Sequence, residues 1–396
     1  MDAIGRRVLV QGVARTAPAV IAVLGERPPA VIDSTSNARW DAALTIAGAG
    51  LDAELRTATF LAAEYGCVIL PGRITSREDY LRVRRPGRGV ALNRAQRIAV
   101  WEVVEVYRAS SGMAGSSDWD EKAMIAATHL DLLATHGEGR VADHVLVDEA
   151  QDLAPTRMHL LRSLVNPGPD DLFIAEDAQQ RIYSQRTVLS RYGISVRGRS
   201  RRMTLNYRTT AQVLRYAVGV LGGETWVDLE AEVASTAGYR SARSGPVPRE
   251  MCATTSTAEH AQLAALLGGW IEVGDHPATL GVLVRTKAGA EKVVRELGSR
   301  GVTAVFVQDD IVSGGVAVQV MTMHRSKGME FKRAVLFGVS SAGGGWGAGT
   351  AELPEAIRAD AELRERSLLY VAATRARDEL VVLWNGERSE LLPVTG

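Results

Sequence analysis

Asp148 and Glu149 stand side by side directly after the branched apolar run Val145-Leu146-Val147, and Gln151 and Asp152 follow. Two ionised carboxylates on neighbouring residues repel each other unless a cation accompanies them. The pairing therefore suits a divalent metal held by the first acid, with the second orienting and deprotonating an attacking water, as in nucleotide hydrolysis. The same residues also suit a strand end leading into a helix N-terminus, where the helix dipole favours acids. Four further blocks carry groups of the same chemistry. In Asp177-Ala178-Gln179-Gln180-Arg181-Ile182-Tyr183, the Gln180 amide could sense a phosphate or simply face solvent. In Asn206-Tyr207-Arg208-Thr209-Thr210, a Thr can cap a helix while Arg208 reaches a phosphate bidentately or stays solvated. The block Thr322-Met323-His324-Arg325-Ser326-Lys327-Gly328-Met329-Glu330-Phe331 contains Ser-Lys-Gly, but a phosphate loop needs Gly immediately before Lys. In the fifth, Tyr370-Val371-Ala372-Ala373-Thr374-Arg375-Ala376-Arg377, Arg375 lies near a helix end, where cations are also favoured by the dipole.

Such groups need strands that end where the acids begin. Residues 145–147 read as a buried parallel strand, 153–165 as a helix, and 172–175 as a second strand ending in Glu176-Asp177, an alternation that argues for a parallel, doubly wound sheet. Upstream, the spacing predicts helices over 53–65, 94–108 and 119–134, a strand over 67–70, and a small-residue linker over 110–117. A second α/β pattern opens with a helix over 258–273. It continues with strand 279–285, helix 288–300, strands 303–308, 316–323 and 334–339, helix 359–377 and strand 379–384. The expected architecture is α/β, two sheets of similar type in tandem.

The chain has 396 residues, enough for two or three domains, and 46 basic residues balance 46 acidic ones. A polyanion site must then be a local patch, and two arginine clusters (Arg82 to Arg97 and Arg197 to Arg202) are candidates. Cys67 and Cys252 lie far apart, without His or Cys at metal spacing, which suits a reducing cytoplasm. No apolar run spans a membrane. Arg6-Arg7 precede an apolar stretch, but Gln11 and Arg15 interrupt it, which argues against an export signal.

Together and in this order, the five blocks resemble motifs II to VI of superfamily 1 DNA helicases of the UvrD/Rep kind, over roughly 101–384. The resemblance implies two RecA-like parallel-sheet domains in tandem with a small helical insertion. It divides the chain into 1–72, a remnant of the N-terminal RecA-like domain; 73–140, a helical accessory region; 141–205, RecA-like domain 1; and 206–396, RecA-like domain 2, with 222–257 a linker or reduced insert. It further implies ATP and Mg²⁺ as cofactors and single-stranded or partly duplex DNA as partner. Asp148 would bind the metal and Glu149 activate water. Gln180 would contact the γ-phosphate and relay it through the Tyr183 segment. Arg208 and Arg375 would act as arginine fingers, Glu330 would contact the nucleotide sugar, and Thr322 and His324 the translocated strand. The implied activity is ATP-driven movement on single-stranded DNA with duplex unwinding, 3′-to-5′; the alternative is a catalytically silent module that holds single-stranded DNA or a repair partner.

The sequence departs from that family in three places. No lysine follows a glycine: Lys122, Lys287, Lys292, Lys327 and Lys332 follow Glu121, Thr286, Glu291, Ser326 and Phe331. The Gly-Lys-Ser/Thr phosphate cradle is therefore missing, as in a fragment, a split subunit or a decayed copy, and a separate chain supplying it is an implied partner. The short interval between the Arg208 and Thr322 blocks leaves no room for a large inserted subdomain. Gln185 stands near where relatives often carry a base-stacking aromatic.

Overall fold

A computed structural model describes residues 30–31, 36–85, 88, 90–114, 116–182, 187–308, 315–341 and 355–394. The chain divides into two compact units, one comprising 1–177, 184–199 and 228–232, the other 178–183, 200–227 and 233–396.

Most of the described part of the first unit is helical. Ala30–Val31 (β1) pairs in parallel with Ser116–Ser117 (β2), and between them lie Ser36–Ala47 (α1), Ala58–Glu64 (α2), Arg77–Arg82 (α3) and Arg94–Ala114 (α4). Thr57 and Ser76 cap α2 and α3 through their side chains, satisfying otherwise orphaned N–H groups. Where a strand over 67–70 was expected, Tyr65–Ile69 instead continue α2 as a π-helical turn. The reason is spacing: Tyr65, Val68 and Ile69 are all buried, a helical interval rather than an alternation. They join an aromatic core in which the Trp40 and Tyr107 rings stack with centroids 3.8 Å apart.

Half of the first arginine cluster is structural. Glu64 is fully buried, and Arg85, Arg88 (2.7 Å) and the Tyr80 hydroxyl (2.8 Å) all donate to its carboxylate. Arg97 donates to the carbonyls of Tyr80 and Val83. Of that cluster only Arg82, Arg84 and Arg94 are exposed among the described residues.

Trp119–Thr135 (α5) begins with a capping box between Asp118 and Glu121. Val145–Val147 (β3), Pro155–Leu164 (α6) and Leu172–Ile174 (β4) follow, with β3 and β4 parallel, Val145 opposite Leu172 and Val147 opposite Ile174. One face of this pair packs on Ala123, Ala126, Ala127 and Leu130 of α5 and on Met158, Leu160, Leu161 and Leu164 of α6. Period-2 alternation sends Leu146 and Phe173 to the other face, where they are 72% and 67% exposed.

The second unit begins in chain order with Leu205–Asn206 (β5), Ala211–Val220 (α7), Trp226–Val227 (β6), Val233–Ala234 (β7) and Arg240–Ser241 (β8). Arg249–Ala253 (β9), Ser256–Glu272 (α8), Leu280–Val284 (β10), Lys287–Gly298 (α9), Ala304–Phe306 (β11) and Val318–Thr322 (β12) come next. Phe331–Phe337 (β13), Glu355–Ala373 (α10) and Ala376–Asn385 (β14) complete it. Six strands form one all-parallel sheet in the order β11-β12-β10-β13-β14-β9. The expected α/β class holds, and β9, inside the stretch read as a linker, is an edge strand of this sheet. Helices cover both faces. Val282, Val320, Val335 and Val381 face α8 and α9, whereas their neighbours Leu283, Met321, Leu336 and Val382 face α7 and α10. Burial on both sides suits the apolar runs 280–284, 334–337 and 380–384.

Candidate functional site

The acid pair of the first unit sits at the C-terminal end of β3. Glu149 adopts the left-handed region (φ 54°, ψ 38°), rare for a residue with a Cβ, and thereby ends the strand abruptly. The turn is held by Ala150 N–H donating to Ala175 O (3.1 Å) and by Asp148 Oδ1 accepting from Glu149 N–H (2.9 Å). Asp148 is exposed and Glu149 half-buried. Gln151 is the residue that sequence reasoning passed over here. Its buried amide donates to Glu149 Oε2 (2.5 Å) and accepts from Asp177 N–H (3.0 Å), so one side chain ties the acid end of β3 to the acid end of β4. Beside it, Glu176 accepts from Leu229 N–H, and burial together with Asp228, Asp177 and Glu230 pushes its carboxyl up to about 7.

Among the described residues no three His, Cys, Asp or Glu side chains converge as a metal cage. A lone exposed aspartate fits Mg²⁺, which keeps several waters and takes one or two carboxylates plus phosphate oxygens.

In the second unit the sheet separates the expected residues into two groups. Thr322 is the last residue of β12 and His324 follows it, so both lie at the C-terminal ends of the strands. Thr322 Oγ1 accepts from Arg325 N–H (3.2 Å), and burial, then the neighbouring Arg285, hold the His324 imidazole below its ordinary range. Glu330 immediately precedes β13 and Arg375 immediately precedes β14, which places both at the N-terminal ends. Arg208 joins them there: its guanidinium lies 3.4 Å from the Glu330 carboxylate, and both side chains are about half exposed. The connection 323–330 runs from one end of the sheet to the other.

Arg375 is only 2% exposed, and its guanidinium donates to Val371 O (2.9 Å), Met329 O (3.3 Å) and Thr374 Oγ1 (3.1 Å). Gln180 closes a short turn, Ala178–Gln180, whose Ala178 enters the core of the second unit with Ile182. Lys327 Nζ donates to the Gln180 carbonyl (3.0 Å), a contact that the Ser-Lys-Gly order did not suggest. The only sequence signal for it was the scarcity of lysine. Tyr183 and Gln185 lie outside the described residues.

Residues 78–189 match the UvrD/REP helicase N-terminal domain, and residues 307–387 match the UvrD-like helicase C-terminal domain. The chain is a relative of the UvrD/Rep helicases. Asp148, Glu149 and Gln180 fall inside the first UvrD/Rep match, and Thr322, His324, Glu330 and Arg375 inside the second, with Arg208 between them. Over 238 residues the chain is 27% identical to the ATP-dependent DNA helicase UvrD2 of Mycobacterium tuberculosis, and equally to that of Mycobacterium bovis. The aligned part is 57% of this chain and 33% of those proteins, so the chain spans about a third of the length of the curated relatives it matches. A solved C-terminal domain of a possible DNA helicase from Lactobacillus plantarum aligns with 47% of the chain and 91% of that domain, at 20% identity and a TM-score of 0.34. Among the described residues no helix is long and apolar enough to cross a membrane.

Proposed function

We propose that this chain is the motor portion of an ATP-dependent DNA helicase or translocase that acts in the cytoplasm. The observation that carries the reading is the division of labour in the second unit: Arg208, Glu330 and Arg375 at the N-terminal ends of the strands, Thr322 and His324 at the C-terminal ends, and one connection of eight residues, 323–330, between them. A nucleotide at one end and a DNA strand at the other would be mechanically coupled through that connection. Asp148 would be the metal ligand and Glu149 the base that takes the proton of the attacking water. Gln180 and Arg208 would meet the γ-phosphate, and Arg375 would reach it by exchanging the Met329 carbonyl for a phosphate oxygen. Glu330 would bind the sugar hydroxyls, and movement would run 3′-to-5′ along single-stranded DNA. Bound Mg²⁺ would supply charge neutralisation between phosphate oxygens.

The sequence contains no Gly-Lys pair, so in this reading the phosphate cradle comes from outside these 396 residues, and the second reading is a silent module that only binds DNA. DNA-stimulated ATP hydrolysis, measured with and without an added polypeptide carrying Gly-Lys-Thr, separates these readings. A motor shows stimulation that Glu149→Gln lowers by about 10²- to 10⁴-fold, the usual worth of a positioned base. Salt-sensitive DNA binding without hydrolysis in either mixture selects the silent module. Neither binding nor hydrolysis removes both.

A further inference from the structure

The segment around Arg243, which the sequence presents as punctuation between elements, is wired to two of the functional loops. Its strand β8 pairs in parallel with β5, Leu205 opposite Arg240 and Asn206 opposite Ser241. From there the Arg243 guanidinium reaches three acceptors on two other segments. Its Nη1 donates to the carbonyls of Arg208 (2.8 Å) and Arg377 (3.4 Å), and its Nη2 donates to Asp378 Oδ1 (2.6 Å). Neighbouring bonds run the same way. Ser241 Oγ donates to Thr209 O (2.5 Å), Thr209 Oγ1 donates to Ala376 O (2.6 Å), and Ala211 N–H donates to Arg243 O (2.8 Å). Gly245 completes the contact, because a Cβ there would come within 2.5 Å of Thr210 Cγ2 and 3.1 Å of Asp378 O.

A planar guanidinium with five donors can bridge two carbonyls and a carboxylate at once; an ammonium on a flexible stem cannot hold the same three directions. Asn206 Oδ1 accepts from Arg208 N–H (2.8 Å) and Thr209 N–H (3.0 Å), which fixes the loop from within. Arg243 fixes it from outside, against the first residues of β14.

We propose that Arg243 is a positioning residue that holds the Arg208 loop against the start of β14, so that the Arg208 guanidinium is presented to the terminal phosphate of a bound nucleoside triphosphate. The phosphate role of Arg208 is that of the proposed function; the clamp itself rests on the bonds above. Two measurements on the full chain keep them apart. The first is amide hydrogen exchange across 205–212 and 375–379 without nucleotide. Arg243→Lys and Asp378→Asn should accelerate exchange in both segments together, and unchanged protection overturns the clamp.

The second is binding of fluorescent ATP and ADP analogues with Mg²⁺, with and without the added polypeptide carrying Gly-Lys-Thr. Arg243→Lys should lower the preference for ATP over ADP by about tenfold, the size of one charge-assisted hydrogen bond, with ADP affinity and melting temperature retained. Combining Arg243→Ala with Arg208→Ala should cost no more than Arg208→Ala alone. An intact ATP preference in Arg243→Lys, or additive losses in the double variant, overturns the positioning role. If the unsubstituted chain shows no ATP preference in either mixture, the phosphate role of Arg208 falls and the proposal falls with it, leaving the exchange data to decide only the clamp.

Discussion

Glu64 and Glu176 show how two carboxyls of one type acquire opposite behaviour from their surroundings. Burial alone would raise Glu64, but Arg85 and Arg88 outweigh it and hold the carboxyl below its ordinary 4.5. A lowered folded value means that this stabilisation is present above about pH 4.5 and disappears as pH falls through the folded value. Glu64→Gln should destabilise the first unit by about 3–5 kcal/mol, because two buried guanidiniums lose their counter-charge; urea unfolding at pH 7 measures it. Glu176 has the opposite sign. Its folded value near 7 lies above 4.5, so it favours the folded state while protonated and that contribution is lost as pH rises from 4.5 through 7. Side-chain carbon NMR should find one Glu titrating near pH 7, moving down in Asp228→Asn. Glu149 differs from both: its left-handed backbone costs on the order of 1–3 kcal/mol, and Gln151 and Ala150 hold it.

At the level of elements, pattern and packing agree best where a strand is covered on both sides. The apolar runs 280–284 of β10, 334–337 of β13 and 380–384 of β14 were legible because a doubly covered parallel sheet accommodates them. β3 and β4 carry similar runs, yet Leu146 and Phe173 remain exposed. Leu146→Thr and Phe173→Thr should therefore each change the stability of the chain by less than about 0.5 kcal/mol. Leu160→Ala, in the core under the same pair, should cost about 2–5 kcal/mol, and equilibrium denaturation compares the three. Legibility failed over Tyr65–Ile69, where a short apolar run does not distinguish strand from buried helix. It failed again over β5 to β8, because strands of two residues have no periodicity to read.

Across the whole molecule the formal charge is zero, so the proposed DNA affinity must come from local exposed cations. The fold sorts the arginines of the two clusters: Arg85 and Arg88 are consumed by Glu64 while Arg82, Arg84 and Arg94 stay exposed, and in the second cluster Arg197, Arg201 and Arg202 are exposed. Replacing those three by alanine should reduce the slope of log K against log salt for single-stranded DNA by about 2, from roughly 0.7 per phosphate contact. Replacing Arg85 or Arg88 should lower thermal stability and leave the slope of the folded protein unchanged. The sequence by itself determined the α/β class, the acids at strand ends and the order of the five blocks, because residue type, strand period and motif spacing are local properties written along the chain. Only the tertiary structure decided which arginines are free to meet a phosphate, that Glu149 is bent into the left-handed region, that Gln151, Lys327 and Arg243 join separate segments, and which end of the sheet each functional group occupies. Those outcomes depend on partners that are distant in sequence, and no local pattern encodes a partner's position.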